Sequence, residues 1–170
     1  MFYCRFYGGA FRLHNIVEKS IRFETEYKFE DWRYKLAVVN GNLPFYHPQS
    51  AYVGQYQTLL DDMSQDYQLK YLNYHDCPSD SAYRDSIINI LDNGTLFFMY
   101  TGHGGKITWD GAASLPDLIL SLNNENKTPF CFSHACLAGK FDRGMYSMAE
   151  EIVSLTMLQS RLEGDLWNRY

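Results

Sequence analysis

Thr95-Leu96-Phe97-Phe98-Met99-Tyr100-Thr101-Gly102-His103-Gly104-Gly105 is the stretch on which the reading of this chain turns. An uncharged apolar and aromatic run, the signature of a strand over 95–100, passes straight into a glycine-rich turn that carries a single imidazole. The glycines permit backbone geometry that a residue with a Cβ would resist. A polar, reactive side chain is thereby expected at the carboxyl end of a strand. Just upstream, Ser79 to Ser81 offer capping oxygens, Tyr83, Ile87, Ile90 and Leu91 recur on one helical face, and Gly94 is suited to the left-handed stop. Just downstream, Ser114, Pro116 and Asp117 mark a helix start for residues 118–122. A polar loop over 123–128 and a strand over 130–133 follow, and that strand runs into His134-Ala135-Cys136.

The same rhythm extends to both sides. Leu13, Ile16, Val17 and Ile21 have helical spacing, residues 36–39 form a β-branched strand, and Asn40-Gly41-Asn42-Leu43-Pro44 reads as a loop. Tyr52, Tyr56, Leu59 and Leu60 repeat the helical period ahead of a strand over 69–72 and a loop through Asp76, Pro78 and Ser79. After Phe141-Asp142-Arg143-Gly144, the residues Met148, Ile152, Leu155 and Leu162 describe a last amphipathic helix. Strands alternating with helices give an α/β class with a parallel sheet. At 170 residues, 46% of them apolar, residues 1–170 make one domain. Asn93-Gly94-Thr95 and Asn126-Lys127-Thr128 match the N-glycosylation triplet, but Asn93 is accounted for by the helix stop and neither carries weight.

A formal charge of −5, from 15 basic and 20 acidic residues without any basic run, excludes nucleic acid as an expected partner. No apolar run approaches the roughly 20 residues of a membrane helix, so no transmembrane segment is expected. Residues 1–11 lack the pattern of a signal peptide. Four cysteines at 4, 77, 131 and 136 have neither the density nor the spacing of a disulfide framework, which makes free thiols the default.

In an open parallel sheet the functional crevice lies beyond the carboxyl ends of the strands, and two successive strands here end in His103 and Cys136. A thiol becomes a good nucleophile when an imidazole or a helix N-terminus favours its thiolate. A lone cysteine after an apolar run is also the ordinary form of an inert buried thiol, and a histidine in a glycine turn can be a plain loop residue. Periodicity does not choose between these readings. Zinc at Cys131, His134 and Cys136 is discounted, because alternate strand positions face opposite ways and no second ligand pair exists.

Resemblance does choose. Tyr100-Thr101-Gly102-His103-Gly104-Gly105 with Trp109 resembles the histidine motif of the gingipain family of cysteine peptidases, which groups with caspases, legumains and separases. Ala135-Cys136-Leu137-Ala138-Gly139-Lys140-Phe141-Asp142 resembles that family's cysteine motif, and the 33-residue separation of His103 and Cys136 is similar to the family's. Ser147-Met148-Ala149-Glu150-Glu151, Arg5-Phe6, residues 16–27 and Asp31-Trp32-Arg33 also fit the pattern. The resemblance implies a caspase-like three-layer sandwich with a mainly parallel sheet. It implies acyl transfer in which Cys136 attacks a peptide carbonyl, His103 serves as acid and base, and the N–H groups of Gly104 and Cys136 hold the oxyanion. Thr101, Lys106 and Trp109 are the expected substrate contacts, a protein or peptide the expected substrate, and a bacterial cell surface or extracellular space the expected location. No cofactor is required, although relatives can use structural calcium; Asp61-Asp62 and Asp110 are candidates for it by residue type alone.

Three departures bear on function. Where relatives often place an acid that orients the histidine, this chain has Asn40 and Asn42, either of which can hydrogen-bond an imidazole without supplying charge. Only 34 residues follow Cys136, so the sheet is expected to be incomplete at its carboxyl end. Residues 42–50 contain no Asp or Glu, and Lys106 follows His103 closely, which disfavours a basic side chain before the scissile bond. Besides an endopeptidase, two alternatives stand: a sortase-like transpeptidase of type IX secretion in the same family, and an inactive surface or interaction module that kept the fold.

Overall fold

In the computed structural model, the residues described are 10–26, 30–43, 61–62, 66–110, 113–114, 117–118, 121–124, 127–140 and 147–154. The helix expected around Tyr52–Leu60, the loop beyond residue 43, the stretch 141–146, Leu155, Leu162 and Cys4 lie outside them.

Strand β1 (Lys35–Asn40) is buried from Leu36 to Asn40 on both sides of its pleat, as a central strand covered on two faces must be. It pairs in parallel with β2 (Gln68–Asn73) on one side and β3 (Phe97–Thr101) on the other. Strand β3 in turn pairs in parallel with β6 (Phe130–His134), giving the order β2-β1-β3-β6. All four strands stand where the apolar runs place them. Between β3 and β6, β4 (Thr108–Trp109) and β5 (Ala113–Ser114) pair antiparallel, an element that the sequence pattern does not announce. Ser114, read as part of a helix start, belongs to β5, and helical backbone is instead found at Asp117 and Leu118.

Register sorts the side chains into two faces, because successive residues of a strand point to opposite sides. Ala37 lies beside Phe98, and Val39 beside Tyr100. These residues join Tyr83, Ile87, Ile90 and Leu91 of helix α2 (Asp80–Asp92), together with Trp109, Leu118 and Met148, in one buried cluster. Helix α2 starts where Ser79 Oγ accepts the N–H of Ala82 at 3.2 Å. It ends at Gly94, which adopts φ 79°, the left-handed stop that its sequence calls for.

On the opposite face, Phe23 of α1 (Ala10–Thr25) packs edge-on against Trp32 and Phe130, and Phe97 stacks on Phe130. The apolar spacing of α1 misleads about which side is inward. Leu13, Val17 and Ile21 are 47%, 48% and 56% exposed, whereas Asn15 is buried and Ile16, Lys19 and Phe23 are partly so. Those four occur at helical spacing on a stripe beside the expected one, anchored by Phe23 on the sheet and by Lys19 Nζ, which donates to the carbonyl of Val153 at 3.2 Å. Val153 belongs to α3 (Met148–Ser154), which α1 touches. The outer strands are less covered: Leu69 and Tyr71 on β2, and Phe130 and Phe132 on β6, are exposed. No helix among the described residues is long and apolar enough to cross a membrane.

Helix α3 opens with a reciprocal cap. Glu150 Oε2 accepts the N–H of Ser147 at 2.7 Å and its hydroxyl at 2.8 Å, and Ser147 Oγ lies 3.5 Å from the N–H of Glu150. That is the S-x-x-E arrangement in which two orphan donors satisfy each other's residues.

Two stability predictions follow from these caps. Replacing Gly94 with Ala forces a side chain into left-handed backbone, which costs about 1–2 kcal/mol, and sets its Cβ 2.6 Å from Trp32 Cβ. The melting temperature should fall by roughly 2–4 °C per kcal/mol lost. Ser147→Ala should cost about 1 kcal/mol, read in the same thermal melt; an unchanged melt for either variant would count against the cap concerned.

Candidate active site

Beyond Thr101 and His134 the two central loops leave the sheet side by side. Phe97 pairs with Phe130 and Thr101 with His134, an offset of 33 residues that is also the offset of His103 to Cys136. The ladder runs one step past the strands, with the N–H of Gly102 donating to the carbonyl of His134 at 3.3 Å. Contact between the loops persists further still. A Cβ built on Gly104 would lie 2.7 Å from Ala135 Cβ and 3.1 Å from the carbonyl oxygen of Cys136. The His103 loop and the Cys136 turn therefore touch through backbone, at a position that tolerates no side chain. His103 and Cys136 are both exposed.

The loop after His103 folds back as a hairpin. Asp110 N–H donates to the carbonyl of His103 at 3.1 Å, Gly105 N–H donates to that of Thr108 at 2.9 Å, and Gly104 sits opposite Trp109. Bonds from the flanking residues make Gly104 and Trp109 a non-hydrogen-bonded pair, so the N–H of Gly104 points away from the hairpin. Trp109 is buried beneath, stacked on Tyr100 with centroids 4.6 Å apart and on Phe98 at 5.6 Å, and its indole N–H donates to Ser133 Oγ at 2.9 Å. It is a brace between the two loops. The expected substrate contact through Trp109 is accordingly corrected, since a side chain 1% exposed has no surface to offer, and the same holds for Thr101 at 4%. Lys106 is partly exposed at the hairpin tip, and its carbonyl accepts the N–H of Met148 at 2.8 Å.

Helix α3 joins both loops at its N-terminus. The N–H of Met148 goes to Lys106 in the histidine loop, and that of Ala149 goes to the carbonyl of Ala138 in the cysteine turn at 3.0 Å. Two of the first-turn donors that an isolated helix leaves unsatisfied are thus used to tie the loops together. Leu137, directly after Cys136, adopts φ 61°. A non-glycine residue in that region carries strain of about 1–3 kcal/mol, which accumulates where the surrounding structure holds a functional backbone in place.

The described cysteines divide by environment. Burial pushes the Cys131 thiol up to about 12, and burial with the nearby Asp76 carboxylate raises Cys77. Both are held in the unreactive thiol form at neutral pH. Cys136, by contrast, is exposed and unbridged.

The two asparagines separate as well. Asn40 is buried, its amide donates to Tyr71 Oη, and its carbonyl accepts the Tyr83 hydroxyl at 2.9 Å. Its side chain is therefore engaged toward β2. Asn40 pairs with Thr101, and Gly41 N–H donates to the carbonyl of Thr101 at 2.9 Å; the chain then turns at Asn42, where the N–H of Leu43 donates to the carbonyl of Gly41 at 2.8 Å and the Leu43 carbonyl lies 3.1 Å from His75 Nε2. His134 closes β6 and is exposed. Among the described residues no group of three or more His, Cys, Asp or Glu side chains is placed to hold a metal ion.

Sequence reasoning missed the supports of the site: Tyr100, Ser133, the carbonyls of Lys106 and Ala138, and Leu137. Tyr100 is buried on the core face of β3 and Ser133 is its pairing partner on β6, so strand alternation was the available signal for Tyr100. The rest are backbone features, which side-chain patterns do not encode.

Comparison with known proteins agrees with this geometry. The model of peptidase family C25 matches residues 10–157. Over 68 residues, 40% of this chain, the sequence is 32% identical to Gingipain R2 of Porphyromonas gingivalis, and likewise to Gingipain R1 of the same organism. The matched part spans 9% and 7% of those proteins. The crystal structure of the Arg-specific cysteine proteinase gingipain R superposes on 85% of this chain, and on 33% of its own, with a TM-score of 0.67 at 22% identity. That likeness shows the fold, an α/β arrangement on a parallel sheet, of which this chain spans about a third of the solved chain's length. On the match across residues 10–157, the chain belongs to peptidase family C25.

Proposed function

We propose that the protein is a cysteine endopeptidase of bacterial origin acting at the cell surface or outside the cell. The observation that carries the proposal is the backbone contact of Gly104 with Ala135 and Cys136, which sets an exposed imidazole and an exposed thiol on adjoining loops at the carboxyl edge of one parallel sheet. In this reading His103 takes the thiol proton, and the Cys136 thiolate adds to the carbonyl carbon of a peptide bond. The oxygen then carries the negative charge of a tetrahedral intermediate, stabilised by the N–H groups of Gly104 and Cys136. As the C–N bond breaks, His103 passes its proton to the leaving amine and a thioester remains on Cys136. Water, deprotonated by His103, hydrolyses the thioester and returns the thiol. Asn42 is the asparagine assigned in this reading to steady the imidazole, because the Asn40 side chain is taken by Tyr71. Lys106 at the hairpin tip disfavours a basic residue before the cleaved bond.

The first test is alkylation of the folded protein by iodoacetamide across pH, with each cysteine mapped by mass. Cys136 should label fastest near neutral pH, while Cys131 stays unlabelled because its folded-state thiol loses its proton only near pH 12. Replacing His103 with Ala should slow the labelling of Cys136 by roughly tenfold or more, because the imidazole that favours its thiolate is gone, and His134→Ala should slow it far less. Equal, slow labelling of every cysteine would sink the enzymatic reading. A second test is a positional-scanning peptide library, in which Arg and Lys before the scissile bond should be disfavoured and Lys106→Glu should raise their acceptance; a strong preference for Arg in the unmodified protein would overturn the role given to Lys106.

A further inference from the structure

The hydroxyl of Tyr100 sits under the His103 loop. It donates to the carbonyl oxygen of His103 at 2.9 Å and lies 3.4 Å from the carbonyl oxygen of Asp110. The His103 carbonyl receives a second donor, the N–H of Asp110 at 3.1 Å. Space for the hydroxyl is made by two glycines just past the ends of β1 and β3: a Cβ on Gly41 would overlap the hydroxyl oxygen, and one on Gly102 would fall 2.6 Å from it. The ring is fixed by its stack on Trp109, itself bonded to Ser133. Nothing in ordinary core packing requires a polar tip in this slot, and a phenylalanine would fill the same apolar contacts.

The carbonyl that Tyr100 holds shares its peptide plane with the N–H of Gly104. In a trans peptide the C=O and N–H point in opposite directions, so fixing the carbonyl inward aims the Gly104 N–H outward, away from the hairpin. Donors on a peptide oxygen also polarise the unit and strengthen its N–H as a donor. We propose that Tyr100 is a positioning residue for the oxyanion site: its hydroxyl sets and polarises the His103–Gly104 peptide so that the Gly104 N–H meets the developing oxyanion on a substrate carbonyl. The inference rests on the thiol–imidazole reading above. Burial holds the Tyr100 hydroxyl well above the ordinary tyrosine range, so it remains a neutral donor through the pH range of that chemistry.

Two reactions of the same thiol separate the roles. Acylation of Cys136 by p-nitrophenyl acetate passes through an oxyanion, whereas alkylation by iodoacetamide displaces iodide and forms none. Tyr100→Phe should slow acylation by roughly ten- to a hundredfold, somewhat less than outright loss of an oxyanion donor, while leaving alkylation within about twofold and the circular dichroism unchanged. Gly41→Ala, which displaces the hydroxyl without deleting it, should give the same split between acylation and alkylation. It carries the test by itself if Tyr100→Phe fails to fold. Unchanged acylation, or acylation and alkylation falling together, would overturn the role of Tyr100. Alkylation of Cys136 as fast in His103→Ala as in the unmodified protein would instead overturn the thiol–imidazole reading, and the inference with it.

Discussion

Parallel pairing of β3 with β6 holds Thr101 beside His134, and the ladder continues through the Gly102 N–H until Gly104 meets the peptide of Cys136. Side chains follow backbone here. Once two adjacent strands share a register, residues equally far beyond their last pair leave the sheet on one level. What keeps them together is the absence of a side chain at residue 104, because a Cβ there would press on Ala135 and part the loops.

A register alone would leave two flexible loops. The structure braces them from three directions, each using a different kind of interaction. Trp109 lies under both loops, stacked on Tyr100 from β3 and hydrogen-bonded to Ser133 from β6. Helix α3 receives a carbonyl from each loop on its first-turn N–H groups, and its own cap is closed by Ser147 and Glu150. Tyr100 holds the His103 carbonyl from below. Buried hydrogen bonds of this kind are directional and costly to leave unmade, and stacking fixes ring orientation as well as contributing burial. Rigidity of the loops is then a property of the core beneath them, and the left-handed backbone at Leu137 is strain that such a frame can sustain.

Cover is uneven around the sheet. The face carrying Ala37, Val39, Phe98 and Tyr100 is covered by α2 together with Trp109, Leu118 and Met148, while the outer strands keep Leu69, Tyr71, Phe130 and Phe132 exposed. The site joins the two parts: His103 leaves the largely buried β3, and Cys136 leaves the more exposed β6, which is held in place by its ladder to β3. The chain spans about a third of the solved gingipain R chain.

Much of this was legible in the residues themselves. The apolar runs gave four strands to within about two residues: β1 and the largely buried β3 read as continuous hydrophobicity, and β2 and β6 keep apolar and aromatic residues although they are more exposed. Ser79 and Gly94 marked the two ends of α2 through the local demands of capping and left-handed backbone, which depend on no distant residue. His103 and Cys136 were singled out by their place at strand ends, and the gingipain resemblance was carried by short motifs of consecutive residues. Tertiary structure alone decided the rest. Periodicity in α1 showed an apolar stripe but not which side would meet the sheet, because a helix is turned by its partners, here Phe130 and Val153. Exposure separated Cys136 from Cys131, although they lie in and just after one strand. Trp109 and Thr101 looked like surface residues of a motif and proved to be buried, since whether a side chain points down or out depends on the strand and hairpin that carry it. The pairing of β3 with β6 joins residues far apart in the chain, and only that pairing gave the 33-residue spacing a geometric meaning.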